Sequence, residues 1–137
     1  MKRYLMKWLI PIVCILASLV PVKAGDPPPA RQGAFMHNVY FWLKADVSPS
    51  DKQELILLLK SLKAIDSVRS ISVGTPAMTP RPVVDNSYDV ALLVSFDDRE
   101  GHDHYQTHQI HLDVVNKINR MIDHFVVYDA LVDEMTD

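Results

Sequence analysis

One cysteine, Cys14, stands in the whole chain. No intramolecular disulfide and no cysteine zinc site can be built from it. Glycine is almost as scarce, at four residues, and no Gly-rich loop of the kind that cradles phosphate is present. Basic residues are outnumbered, 14 Lys and Arg against 17 Asp and Glu. No basic patch of the sort that nucleic acid requires is therefore expected. No internal repeat is visible beyond two similar halves. The longest apolar run, Trp8 to Val22, spans about 15 residues and contains Pro11 and Pro21, short of the roughly 20 that a bilayer span needs.

That run has the order of a secretory signal peptide. Lys2, Arg3 and Lys7 precede it, and Val22-Lys23-Ala24 closes it with a cleavage point. Residues 1–24 are expected to be a signal peptide and the protein to be exported, periplasmic or secreted. Cys14 is not read as a lipid-attachment site, because Val13 precedes it and the apolar run continues beyond it. Cleavage removes four basic residues and no acidic one. The 14 basic residues fall to 10 against 17 acidic, a formal charge of −7. The mature chain then lacks cysteine and any stable membrane span, which suits an oxidising compartment. Residues 25–34 read as a Pro-rich disordered spacer, 35–132 as one folded domain, and 133–137 as a frayed acidic tail.

Within the domain, Met36 to Leu43 reads as a first strand with His37, Val39, Phe41 and Leu43 on one face and Asn38, Tyr40 and Trp42 on the other. Ser48-Pro49 starts a helix with Ser48 as N-cap, carrying the stripe Leu55, Ile56, Leu58, Leu59 and Leu62. Val68 to Val73 and Tyr88 to Phe96 read as the second and third strands, separated by a Pro-rich loop from Gly74 to Asn86. Asp97-Asp98 caps a second helical region with Val114, Val115, Ile118, Met121 and Ile122 inward, and Phe125 to Val132 forms the last strand. The order β-α-β-β-α-β predicts a ferredoxin-like α+β fold, a four-stranded antiparallel sheet with two helices on one face. The opposite face then carries Tyr40 and Trp42, and an apolar face of that size predicts a homodimer through the open sheet.

Histidine is where chemistry concentrates. Four of the six fall between His102 and His111, His37 lies on the first strand, and His124 follows the cluster. Imidazole titrates near neutrality and is the commonest metal ligand. His104, His108 and His111, at i, i+4 and i+7, share one face of a continuous helix and form one candidate metal set. His102 and Asp103 read as solvated first-turn residues, and His124 as the end of the second helix.

The strand ending Val94-Ser95-Phe96, then Tyr105-x-x-His108-x-x-His111, then Val126-Val127-Tyr128-Asp129 resembles the stress-responsive dimeric α+β barrel (Dabb) domain over about residues 36 to 131. The family usually has Pro after the first motif histidine. Here it is Gln109, and without Pro the turn is expected to stay helical and to move His108 relative to His111. The resemblance implies a pocket between sheet and helices, lined by Val39, Phe41, Leu93, His108, Phe125 and Val127, with a mouth governed by the Gly74–Asn86 loop. A plant polyketide cyclase of this family runs an aldol condensation without a cofactor. Its base and two assisting residues match His111, Tyr105 and His37. The resemblance thus implies binding of a small, partly apolar molecule, with lyase or cyclase chemistry and no cofactor. The alternatives are a non-enzymatic stress-associated binding domain and the histidine metal protein. A haem-degrading or quinol monooxygenase role rests on fold analogy alone.

Overall fold

The computed structural model describes residues 34–132. The expected signal peptide, nearly all of the spacer and the acidic tail lie outside the described residues. Four strands and three helices follow one another: β1 (Phe35–Leu43), α1 (Pro49–Ser61) with a single 3-10 turn (Leu62–Ala64), β2 (Ser70–Gly74), β3 (Val90–Phe96), α2 (Arg99–Thr107), α3 (Gln109–Ile118) and β4 (Ile122–Leu131). The sheet order is β2-β3-β1-β4, with every neighbouring pair antiparallel. This is the expected ferredoxin-like α+β arrangement.

Helix α1 begins where the sequence places it. The Ser48 side chain accepts from the Asp51 amide, and the Asp51 carboxylate accepts from the Ser48 amide, a reciprocal capping box with Pro at the first helical position. Leu55, Leu59 and Leu62 are fully buried, while Ile56 and Leu58 pack at the margin. On the sheet, strand periodicity sends Phe35, His37, Val39 and Phe41 of β1 to the helical side. Val90, Leu92, Val94 and Phe96 of β3 join them.

Strands β2 and β3 each begin two residues later than expected, at Ser70 and Val90, and two further differences bear on the site. The second helical region is two helices, broken at His108, whose backbone is extended (φ −68, ψ 138). Strand β4 starts at Ile122, because pairing with β1 reaches Leu43↔Ile122 and Trp42↔His124 across a bulge. His124 therefore lies in a strand rather than at a helix end, and its ring stacks on Trp42 at 4.6 Å. No described helix is long and apolar enough to cross a membrane.

Candidate functional site

A cavity of about 290 Å³ lies between the sheet and the helices. Its floor is Val39 and Phe41 of β1 with Leu92 of β3, and α1 and the 3-10 turn contribute Leu59 and Leu62. Its outer wall is α3 with Val114 and Ile118, and β4 with Phe125 and Val127. Phe125 and Val127 are partly open to solvent, so the cavity opens along the edge strand. One end is polar, formed by His37, Tyr105, Gln106 and His111.

Four of the six lining residues expected from sequence, Val39, Phe41, Phe125 and Val127, line this cavity. Two do not. Leu93 pairs with Asn38 and faces the open side of the sheet, while its neighbour Leu92 takes the pocket position. A one-residue offset in a strand exchanges faces, and the unbroken apolar run of β3 hides the phase. His108 is engaged elsewhere, as the cap of α3. The loop from Gly74 to Asn86 contributes nothing to the cavity lining; Asp85 faces a second hollow, on the open side of the sheet.

The break at His108 organises the polar end. His108 accepts from the Ile110 amide through Nδ1, 3.2 Å away, and its backbone carbonyl accepts from the Leu112 amide. A polar side chain in the capping position thus supplies what a following Pro would otherwise impose, and the expected continuation of the helix through Gln109 does not occur. In an uninterrupted helix the Gln106 carbonyl would accept from the Ile110 amide. Released from that role, it accepts instead from His111 Nδ1 at 3.1 Å. A carbonyl only accepts, so Nδ1 carries the proton and Nε2 of the neutral ring carries the lone pair. Burial holds His111 below its ordinary pKa. The positive charge that His37 and His102 acquire on protonation acts in the same direction, and the hydrogen bond to Gln106 opposes both.

His37 reaches the same end from β1. Its Nδ1 donates to Asp129 Oδ1 at 2.7 Å, a contact fixed by the cross-strand pair His37↔Asp129. Burial lowers its pKa more than the Asp129 carboxylate restores it. Tyr105 is 1% exposed. Its ring lies 4.5 Å from that of His111 and 6.0 Å from that of His37. Burial drives its hydroxyl well above the ordinary phenol range, so it is a hydrogen-bond donor, not an anion, at neutral pH. His37, Tyr105 and His111, grouped in the sequence only by resemblance, are thus neighbours.

The other histidines do not form the expected set, although the rings of His104 and His108 remain 5.5 Å apart. His104, largely exposed, sits 3.2 Å from Asp66. With His108 capping and His111 turned to the pocket, the helix break removes the common face on which a His104, His108 and His111 metal set depended. His102 is buried rather than solvated, with its ring stacked on Phe35 at 4.4 Å and 5.0 Å from that of His37. The metal-competent group that does converge among the described residues is His37, His102 and Asp129. Sequence reasoning missed Gln106 and assigned no role to Asp129. The register opposite His37 is the signal that identifies the latter.

An antiparallel ferredoxin-like domain with a histidine-lined pocket under its helices defines the class, and the chain matches the model of the Stress responsive A/B Barrel Domain over residues 35–132. The chain belongs to that family. Among solved structures it is similar to a Dabb family protein with a ferredoxin-like fold from Mesorhizobium loti (26% identity, TM-score 0.60, covering 74% of this chain and 98% of that one). A dimeric ferredoxin-like protein from Bacteroides fragilis gives 24% identity and TM-score 0.58, with 74% and 98% covered. The hydroxynitrile lyase from Passiflora edulis gives TM-score 0.65 at 14% identity, with 77% and 99% covered, a likeness of fold. No curated protein matches the sequence.

Proposed function

We propose that the pocket binds a small, partly apolar molecule carrying a carbonyl or hydroxyl group, and that His111 acts on it as a base in cofactor-independent lyase or cyclase chemistry of the aldol type. The observation that carries this is the tautomer of His111. Its Nδ1–H is committed to the Gln106 carbonyl, which leaves Nε2 as a free lone pair beside a protonated Tyr105 at the polar end of an apolar cavity. A base removes a proton α to a carbonyl, or the proton of a cyanohydrin hydroxyl, whereupon the carbonyl forms, the bond to the nitrile carbon breaks, and the departing cyanide takes the proton back from the imidazolium to leave as hydrogen cyanide. A phenol donates to the oxygen on which charge develops. His37, held by Asp129, is placed to hydrogen-bond the same ligand. The fold likeness to a hydroxynitrile lyase makes cyanohydrins reasonable first substrates.

The test uses an aromatic cyanohydrin, with release of aldehyde followed by ultraviolet absorbance. Turnover that disappears in His111→Ala supports the reading. Saturable ligand binding without turnover, weakened but not abolished by His111→Ala, would instead favour the non-enzymatic stress-associated binding domain.

We propose further that the protein is exported after removal of residues 1–24, and that it is a homodimer through the open sheet face. The basic-then-apolar order of the first 24 residues supports the former, and the dimeric relatives support the latter. The mass of the chain recovered from its native cell envelope tests the first. A mass that begins at Met1 would overturn it.

A further inference from the structure

We propose that His37, His102 and Asp129 form a binding site for one divalent transition-metal ion of the zinc class, at the polar end of the pocket. The three come from β1, α2 and β4, so they approach a common point from different elements, with one ligand atom of each within 4.8 Å of the others. Ligands about 2.0–2.1 Å from a tetrahedral ion stand roughly 3.3 Å apart. Closing the remaining gap takes side-chain rotation, with the backbone already in place.

The hydrogen bonds at His102 support coordination. His102 Nδ1 lies 3.1 Å from Asp103 Oδ1. An ionised carboxylate only accepts, so the proton is on Nδ1 and the lone pair on Nε2. A histidine held by a carboxylate at one nitrogen is the arrangement that orients the other nitrogen toward a metal. Gln106 faces that Nε2 at 3.0 Å. Turning its amide over replaces a donor by an oxygen, a neutral fourth ligand. The bond from His37 Nδ1 to Asp129 Oδ1 would be exchanged for two bonds to the ion, with the Nδ1 proton released as the metal binds. Two imidazoles with carboxylate and amide oxygens suit zinc, cobalt or nickel better than magnesium or calcium. Both histidines are buried, His37 at 6% and His102 at 9% exposure, and dry surroundings strengthen coordination.

His111 is not in this set, so the ion would not occupy the base. His37 and Gln106 both line the cavity, and an oxygen of the pocket ligand would take the fourth position in place of the Gln106 amide. This last point rests on the pocket reading; metal binding does not.

The experiment titrates the full chain with Co²⁺ alone and follows its visible d–d absorption. One saturable equivalent per protomer, displaced by Zn²⁺, is expected. His102→Phe, which keeps the stacking on Phe35, and Asp129→Asn, at a partly exposed position, should each weaken binding at least about tenfold, the scale on which even outer-sphere partners act. Circular dichroism and thermal unfolding check that each variant is folded, and Asp129→Asn keeps the test decisive if His102→Phe is not. A His104→Ala/His108→Ala double variant should bind as wild type does. No saturable binding, or loss of binding in that double variant but not in His102→Phe, would overturn the site. Because cobalt is read without substrate, failure here is distinguishable from failure of the His111 chemistry.

Discussion

At the scale of single residues, the site depends on which nitrogen carries a proton. His111 and His37 are both held neutral by burial, their pKa values below the ordinary 6.5. The unfolded chain therefore binds more protons than the folded one at pH values between those lowered values and 6.5, and stability rises with pH there. Their contribution is complete above about pH 6.5 and is lost as pH falls through the folded pKa values. Carboxylates lowered by hydrogen bonds, such as Asp51 and Asp97, act in the same direction but in a more acidic window. Denaturant unfolding between pH 5 and 8 should show the histidine step, and His111→Gln should shrink it. A step unchanged in His111→Gln and His37→Gln would contradict the assignment. The pH dependence of kcat/KM should likewise be flat above pH 6.5 and fall on the acid side. Tyr105→Phe removes the donor while keeping the buried ring. It should lower turnover about 10²-fold, on the scale of one lost oxyanion donor, with little change in substrate affinity. An unchanged kcat would remove Tyr105 from the chemistry.

At the scale of elements, the break at His108 decides where the histidines go. The sequence shows Gln109 where the resemblance implies Pro, which suggests a continuous helix. What it does not show is that a histidine can cap the next helix with its own Nδ1. Gln109 occupies the first turn of α3, and His108 before it already has the extended backbone that Pro demands. Gln109→Pro is therefore expected to stabilise the protein by about 0.4–1 kcal/mol, through the unfolded state, less the small loss of the exposed Gln109–Asp113 bond. In a continuous helix the same change would cost about 3 kcal/mol or more. The shift of the thermal midpoint, up or down, separates the two geometries.

At the scale of the whole molecule, helices cover one face of the sheet and leave the other open. Tyr40, Trp42, Leu93 and Tyr128 lie on that open face, with Tyr40 5.0 Å from Tyr88 and 6.1 Å from Tyr128, ring to ring. The proposed homodimer would pair two such faces. Leu93 is at the surface of the single chain, so Leu93→Glu should leave folding intact. In the proposed interface it would bury a carboxylate without a partner, at a cost of several kcal/mol, about 10³-fold in dimer dissociation. Sedimentation should show a folded monomer. A dimer unaffected by Leu93→Glu would place the interface elsewhere.

The sequence by itself determined the order of strands and helical regions, the start of α1 and the inward face of β1. Each rests on local chemistry: the Ser48 cap, Pro49, and the alternation around Val39 and Phe41. That His37, Tyr105 and His111 belong together was only implied, by resemblance to a family. Tertiary structure decided the rest. The phase of β3 is masked by five successive apolar residues, Val90 to Val94, and it is the pairing with β1 that turns Leu92 rather than Leu93 to the pocket. His102 looks like a polar first-turn residue until packing against Phe35 buries it. Asp129 and His37 stand 92 positions apart and meet only through strand register. The release of the Gln106 carbonyl, which sets the His111 tautomer, follows from a helix break whose cause is a side-chain contact. Such contacts depend on distances in space, and separation along the chain does not encode them.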